Sequence, residues 1–414
     1  MNLVGTSVYR TYKGAPRPAR LLLTGICLAR LAQLMIWPFV TILLTRNHGA
    51  SIEEIGLMFT VSALCGMAVA PFGGSWADKI GARQLLLTSV AVNILCLLLM
   101  MTATGKEIFF AAIFLSSLVS GAAEPLFRSV LGACAENTAQ RSGLYHLRYF
   151  GVNLAAAIGP LLGVMFIETG NNAIYIVSCG LYAVLGYCVH AVVPAHRVSE
   201  QPESAPSAIR SLLMASSDKA FAALFACNFL LVLVYALTDE PLTFYLVSLD
   251  VADITWLIAA FSFANAATVL VVHGLFMQTI ATMPENRALT VAMTALAIAL
   301  LMIAFASAET QALWIAAIVV ATIAEIIAMP LFLTVVDRIA PERNRNAYFG
   351  AYSLSNVGGA FAPAMMSLAL TIVSGAIVFV LAAAACVPII LFGVVALQKL
   401  PRRESLAIGK DAQA

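Results

Sequence analysis

The chain has 414 residues, of which 61% are hydrophobic and only 11% charged, with a formal net charge of +2. Soluble domains carry about 25% charged residues, so the composition excludes an ordinary soluble globular protein. With no basic block and no charged face alternating with aromatics, nothing points to a nucleic-acid partner.

A membrane helix needs about 20 predominantly apolar residues. Cutting at polar and Gly/Pro punctuation gives twelve such runs: 19–45, 52–76, 83–103, 107–134, 142–168, 171–193, 220–248, 253–280, 286–307, 310–338, 345–373 and 375–398. The expected fold is an all-α membrane protein, twelve transmembrane helices in two pseudo-symmetric six-helix bundles around a central cavity. Residues 1–193 would form the N-terminal bundle and 220–414 the C-terminal one. The basic N-terminus, MNLVGTSVYRTYKGAPRPAR, leads into the first run with no cleavage site, so no removed signal peptide is expected.

The first span carries Arg30 in LARLAQLMIWP, with Gln33 as its polar neighbour on the same helix face. A cavity position is favoured for Arg30 over a pair with another helix. Between spans 2 and 3 lies GGSWADKIGARQ, a basic turn of Gly74, Asp78, Lys79, Gly81 and Arg83 in which glycine permits close helix approach and Asp78 can take a charge-assisted bond from a neighbouring helix end. In span 4, Glu124 and Arg128 are four apart and share a helix face. They form either a locking salt bridge or a substrate contact. Arg148, early in span 5 in YHLRYF, either faces a cavity or snorkels to the membrane surface.

PAHRVSEQPESAPSAIRSLLMASSDK, residues 194–219, is the longest polar stretch and is expected to be a cytoplasmic linker. Span 7 holds ALTDEPLTFYL. Asp239 and Glu240 are about 100° apart on a helix and cannot face the same way unless Pro241 breaks its geometry locally. Apolar sequence continues beyond them, so they are expected to act within the membrane, Asp239 in the cavity and Glu240 there or toward the outer mouth. Span 8 contains His273, either a packing residue or a relay member. Span 10 places Glu325 deep between IAAIVVATIA and IIAMPLFLTVV, where a solvated position is hard to arrange.

Intramembrane charges are costly, about +2.5 to +3.5 kcal/mol each at a helix centre, and are functional candidates by default. Asp239, Glu240 and Glu325 are the expected proton-coupling groups, and Arg30, Glu124, Arg128 and Arg148 the expected substrate-binding ones. Trp37, Phe127, Tyr149, Phe244, Tyr245, Phe263, Tyr348 and Tyr352 either line the cavity or pack between helices or against lipid. The eight cysteines show no metal-ligand spacing and read as small buried hydrophobes. No metal or other cofactor is expected.

With both termini cytoplasmic, the segments on that side hold all but five of the 23 Lys and Arg. Only Arg46 and Lys106 fall on the opposite side; Arg30, Arg128 and Arg148 lie inside spans. This matches the positive-inside rule. The halves also echo each other. PLF recurs at Pro125 and Pro330, Asn followed by Pro at Asn153/Pro160 and Asn356/Pro363, and Pro38 is matched by Pro241. The first-half counterparts of Asp239 and Glu240 are then Ile36 and Trp37.

With its G-x-x-x-D-[RK]-x-G-x-[RK] pattern at Gly74–Arg83, the twelve-span chain resembles the major facilitator superfamily. In span 5, GVNLAAAIGPLLG resembles that superfamily's antiporter motif at Gly159, Pro160 and Gly163, but departs from it at Ala155 and His146. The resemblance is closest to the twelve-helix drug:proton antiporters with one acid in span 7 and another in span 10 shortly before a proline. It implies thin helices on which two bundles rock, and a monomeric, proton-coupled exporter of small amphipathic molecules in a bacterial inner membrane. Arg148 stands where such relatives can carry an acid, which argues against a purely cation-selective cavity. An exporter of an anionic carboxylate-type siderophore or similar metabolite is the alternative, and proton symport a further one. No HExxH, GxSxG or metal cluster suggests an enzyme.

Overall fold

The computed structural model describes residues 10–195, 219–340 and 345–398. Most of the expected linker, 194–219, lies outside the described residues, as does the end of the C-terminal segment. Among the described residues the fold is entirely helical, with no strand, and eleven segments are long and apolar enough to cross a membrane.

From Arg17 onward the first part contains α1 (Arg17–Ile36), a 3₁₀ turn (Trp37–Phe39), α2 (Val40–His48), α3 (Ile52–Val69), α4 (Phe72–Ile80), α5 (Ala82–Thr102), α6 (Lys106–Ala133), α7 (Thr138–Glu168) and α8 (Ala173–Val192). The second contains α9 (Lys219–Tyr235), a 3₁₀ turn (Ala236–Thr238), α10 (Glu240–Ser248), α11 (Ile254–Ala281), α12 (Glu285–Phe305), α13 (Gln311–Ile339), α14 (Arg345–Ser355), α15 (Val357–Ala360), α16 (Ala362–Ala369) and α17 (Gly375–Gln398). Pro125, Pro160 and Pro330 sit inside continuous helices. By contrast, Pro38 and Pro241 each stand at a break, where a 3₁₀ turn interrupts the span.

The expected eleventh span, 345–373, is not one helix but α14, α15 and α16 in series. Its sequence SNVGGAFAP explains this. Gly358 and Gly359 weaken the helix, and Pro363 lacks the N–H that would continue it. At the breaks the chain tightens to i→i+3 bonds, Gly359 N–H to Asn356 O and Phe361 N–H to Gly358 O. Asn228 of α9 braces this region, donating from Nδ2 to Ser355 Oγ at 2.6 Å.

Local rules fix the helix ends. Ser51 and Glu54 form a reciprocal capping box at the start of α3, and Lys106 reaches Glu54 at 2.6 Å. Ser51→Ala is expected to remove about 1 kcal/mol of stability, read as a lower melting temperature of the purified protein. Between α4 and α5, Gly81 has φ +91°, a conformation open chiefly to glycine.

One correction concerns the same turn. Gly74 was expected to permit close helix approach, but it faces open space. Its neighbour Gly73 instead lies against the carbonyl of Ala122 in α6. Gly159 and Gly163 differ from expectation too: they let α7 lie against Leu34 and Met35 of α1, inside the first part, rather than against the second. The four cysteines Cys96, Cys188, Cys227 and Cys386 are buried and the others half-buried.

The turns near Lys79–Arg83, Arg141 and Arg287 mark a basic end of the molecule; those after His48, Glu168, Ser248 and Ala369 mark the opposite end. The two parts meet through α3 with α15 and α16, α7 with α11, and α2 with α10. Named contacts run from mid-helix to the opposite end: Ala364 N–H donates to Thr60 Oγ1 at 3.0 Å, Thr255 hydrogen-bonds Glu168, and Phe59 stacks on Phe244 with ring centroids 6.3 Å apart. The larger buried core follows them, continuous from Phe39 and Phe59 to Phe244 and Phe379. A smaller core around Leu22, Leu131 and Leu144 stays within the first part, near the basic end. Apolar burial therefore joins the parts at the opposite end.

Candidate functional site

Among the cavities between these helices, two that are lined by charged residues measure about 410 and 380 Å³. Both volumes fall in the usual range for small-molecule sites. Arg30 of α1 and Val152 of α7 line both, so the cavities are contiguous.

The first cavity gathers all four of the expected substrate-binding residues: Arg30, Glu124, Arg128 and Arg148. Glu124 is clamped between two guanidiniums. Arg128, one turn along α6, donates Nε at 3.0 Å, and Arg148 reaches the same Oε1 from α7. Arg148 is thus turned inward to Glu124, and its snorkelling alternative is not adopted. Its Nε is buried and has no acceptor among the described residues. Arg30 donates Nη1 to Gln33 Oε1 at 2.6 Å, within its own helix, and forms no ion pair among the described residues. Three cations thus face one anion. Asn93, Ser120 and Tyr182 add hydrogen-bonding groups to the wall.

The second cavity holds Asp239 and Glu240. Adjacent residues reach one space because Asp239, at φ −97° and ψ −126°, sits outside helical geometry between the 3₁₀ turn and α10. Asp239 presents accessible surface to the cavity and makes no side-chain hydrogen bond or ion pair to a described residue. Glu240 accepts from Trp37 Nε1 at 2.8 Å. These two residues are the repeat counterparts inferred from Pro38 and Pro241, and their bond joins the first part of the chain to the second.

Glu325 is half-buried and accepts a hydrogen bond from Tyr235 Oη at 2.5 Å. Tyr235 itself lines the second cavity, as do Asn265 and Thr322, which bond each other at 2.9 Å. Asn265 and Thr322 carried no specific signal, being polar residues scattered among many. Tyr235 carried one, standing four residues before Asp239 at the end of the same span. Of the expected aromatics, Trp37 and Phe127 line the cavities, whereas Phe244, Tyr245, Tyr348 and Tyr352 are buried in packing. Tyr149 and Phe263 are exposed and line neither cavity. The side chain of His273 lies outside those described.

No residue of the basic turn lines either cavity. Arg83 hydrogen-bonds His190 of α8, while Asp78 and Lys79 are exposed. The bond expected from Asp78 to a neighbouring helix end is not made to any described residue. Gly159, Pro160 and Gly163 shape the α1–α7 seam rather than a cavity wall.

A family model described as the Major Facilitator Superfamily matches residues 22–363. The uncharacterized MFS-type transporter YdeE of Escherichia coli (strain K12) is 25% identical over 84% of this chain and 87% of its own. YqjV of Bacillus subtilis (strain 168), also an uncharacterized MFS-type transporter, is 28% identical over 46% of this chain and 45% of its own. The multidrug resistance protein MdtH of Aeromonas salmonicida (strain A449) is 24% identical over 48% of each. The matches to YqjV and MdtH thus span about half the length of those relatives. Among solved structures, a POT family transporter in complex with 5-aminolevulinic acid superposes with TM-score 0.80 at 14% identity, over 94% of this chain and 98% of its own. The nucleoside transporter NupG does so with TM-score 0.74 at 12% identity, over 93% and 100%. Given this match across most of its length, the chain belongs to the major facilitator superfamily, and it is a membrane transporter rather than an enzyme.

Proposed function

We propose that this transporter is a proton-coupled exporter of small amphipathic organic molecules across the bacterial inner membrane. The observation that carries this reading is the grouping of Asp239 and Glu240 on one cavity, with Glu325 linked to it through Tyr235. Carboxyls in apolar surroundings whose access to water changes can load a proton on one side and release it on the other. Solute and proton then need only favour different conformations to be coupled. The relatives named multidrug resistance protein support export of amphipathic solutes.

In this reading the broken segment α14–α16 is the eleventh of twelve spans, and the two parts are six-helix bundles that rock as a monomer. The basic end is cytoplasmic. The chain described above is then the inward-facing form, closed at the periplasmic end by the Trp37–Glu240 and α3–α16 contacts. Asp78 and Lys79 would find partners on the other bundle only when the cytoplasmic end closes. The arginine-rich first cavity favours a second reading, in which the cargo is an anionic metabolite such as a carboxylate-type siderophore.

Direction is tested in inside-out membrane vesicles. With the lumen acidified, an exporter should accumulate a fluorescent amphipathic dye, and collapse of the gradient should release it. Accumulation driven only by the reverse gradient would establish symport and overturn the exporter reading.

A further inference from the structure

Resting on the transport reading above, we infer that the two contiguous cavities form one dipolar binding site. It would take an amphipathic zwitterion, with its anionic group at Arg30 and its protonated amine at Asp239.

Arg30 and Asp239 carry opposite charge and line the same 380 Å³ space. Neither is ion-paired to a described residue. Arg30 is bonded only within its own helix, and the Asp239 carboxylate accepts no hydrogen bond from a described residue. The other charged walls divide the same way. On the Arg30 side Arg128 and Arg148 outnumber Glu124, and Arg148 Nε is a buried donor without an acceptor among the described residues. On the Asp239 side stands Glu240, with no further cation among the lining residues.

Both side chains present accessible surface inside the cavity, and a bound solute that displaces water there must supply a counter-charge to each or leave it desolvated and unpaired, which is costly. A lipophilic cation would satisfy Asp239 and leave Arg30 without a counter-charge. A simple carboxylate would do the reverse. Apolar wall residues such as Leu34, Ile258 and Phe261 would hold the body between the charged groups.

Three probes sharing one apolar body test this: a biphenyl bearing a carboxylate at one end and an aminomethyl group at the other, biphenyl carboxylate, and biphenylmethylamine. Binding is read by tryptophan fluorescence on the full chain in nanodiscs, with no pH gradient, since Trp37 lines the cavity. The zwitterion should bind about tenfold or more tighter than either single-ended probe, a gap typical of adding one charge-assisted contact. Arg30→Gln should remove the advantage over the amine, and Asp239→Asn the advantage over the carboxylate. A zwitterion binding no tighter than the better single-ended probe overturns the inference, and this comparison decides the case even if a variant fails to fold. Because binding is measured at equilibrium, its outcome is independent of whether protons drive transport.

Discussion

Glu325→Gln is expected to abolish uphill transport while sparing downhill exchange of solute. The glutamine keeps the shape and the acceptor oxygen that Tyr235 Oη uses at 2.5 Å. It removes only the group that can gain and lose a proton. α13 should therefore fold unchanged, with any stability effect favourable, because a charge near the middle of an apolar helix costs about 2.5 to 3.5 kcal/mol in insertion measurements. Linkage between two sites in one protein is typically about 5- to 150-fold. The accumulation ratio in gradient-energised proteoliposomes should fall by a factor in that range. Counterflow with equal pH on both sides should proceed. Full accumulation by the variant would remove Glu325 from the coupling, whereas loss of counterflow as well would make it a solute-binding residue. Tyr235→Phe keeps the acid and removes its donor, so its effect on accumulation should be smaller.

Trp37→Phe is expected to loosen the end at which the two parts are joined. Trp37 Nε1 donates to a carboxylate oxygen of Glu240 at 2.8 Å. A hydrogen bond to a charged group contributes about 1.5 to 3 kcal/mol. If the bond exists only while that end is closed, its loss shifts the equilibrium toward the alternative conformer by about 10- to 100-fold. Spin labels at the exposed residues Asn47, near the end of α2, and Leu249, just after α10, should then show a longer-distance population absent from the parent. Glu240→Gln retains an acceptor and should stay closer to the parent distribution. Identical distributions for Trp37→Phe and parent would mean that apolar packing, such as Phe59 on Phe244, closes this end without the bond.

The Trp37–Glu240 pair also shows how far the sequence could be read. Pro38 and Pro241 identified the duplication, and the offset between them made Trp37 the counterpart of Glu240 before any geometry was known. That the two counterparts touch is a three-dimensional fact: one-dimensional periodicity does not say which repeat positions face each other. Intramembrane charge was similarly legible. The expense of burying Arg30, Glu124, Arg128 and Arg148 marked each of them, and they line one cavity. Which guanidinium would hold Glu124 and which would stay unpaired depended on helix rotation, which sequence spacing specifies only within a single helix.

Glycine roles were less legible for the same reason. Gly73 and Gly74 are adjacent, and the choice between them depends on which side of α4 meets Ala122. Pattern matching favoured Gly74, whereas packing uses Gly73. Proline was ambiguous in a different way: Pro125, Pro160 and Pro330 are tolerated within continuous helices, while Pro363 follows two glycines and accompanies a break. Counting apolar residues over 345–373 could not reveal that break, because the interrupted segment is as apolar as an intact one.

Proton antiport through Asp239 and Glu325 is the central claim, and the sign of solute-driven proton movement tests it most directly. Proteoliposomes with a trapped pH dye, a clamped membrane voltage and a lumen loaded with the tightest-binding probe are diluted into probe-free medium. As solute leaves, antiport must bring protons in, so the lumen should acidify with the parent protein and not with the Asp239→Asn, Glu325→Gln double variant. Alkalinisation of the lumen, or solute efflux with no pH change in the parent, would contradict the account.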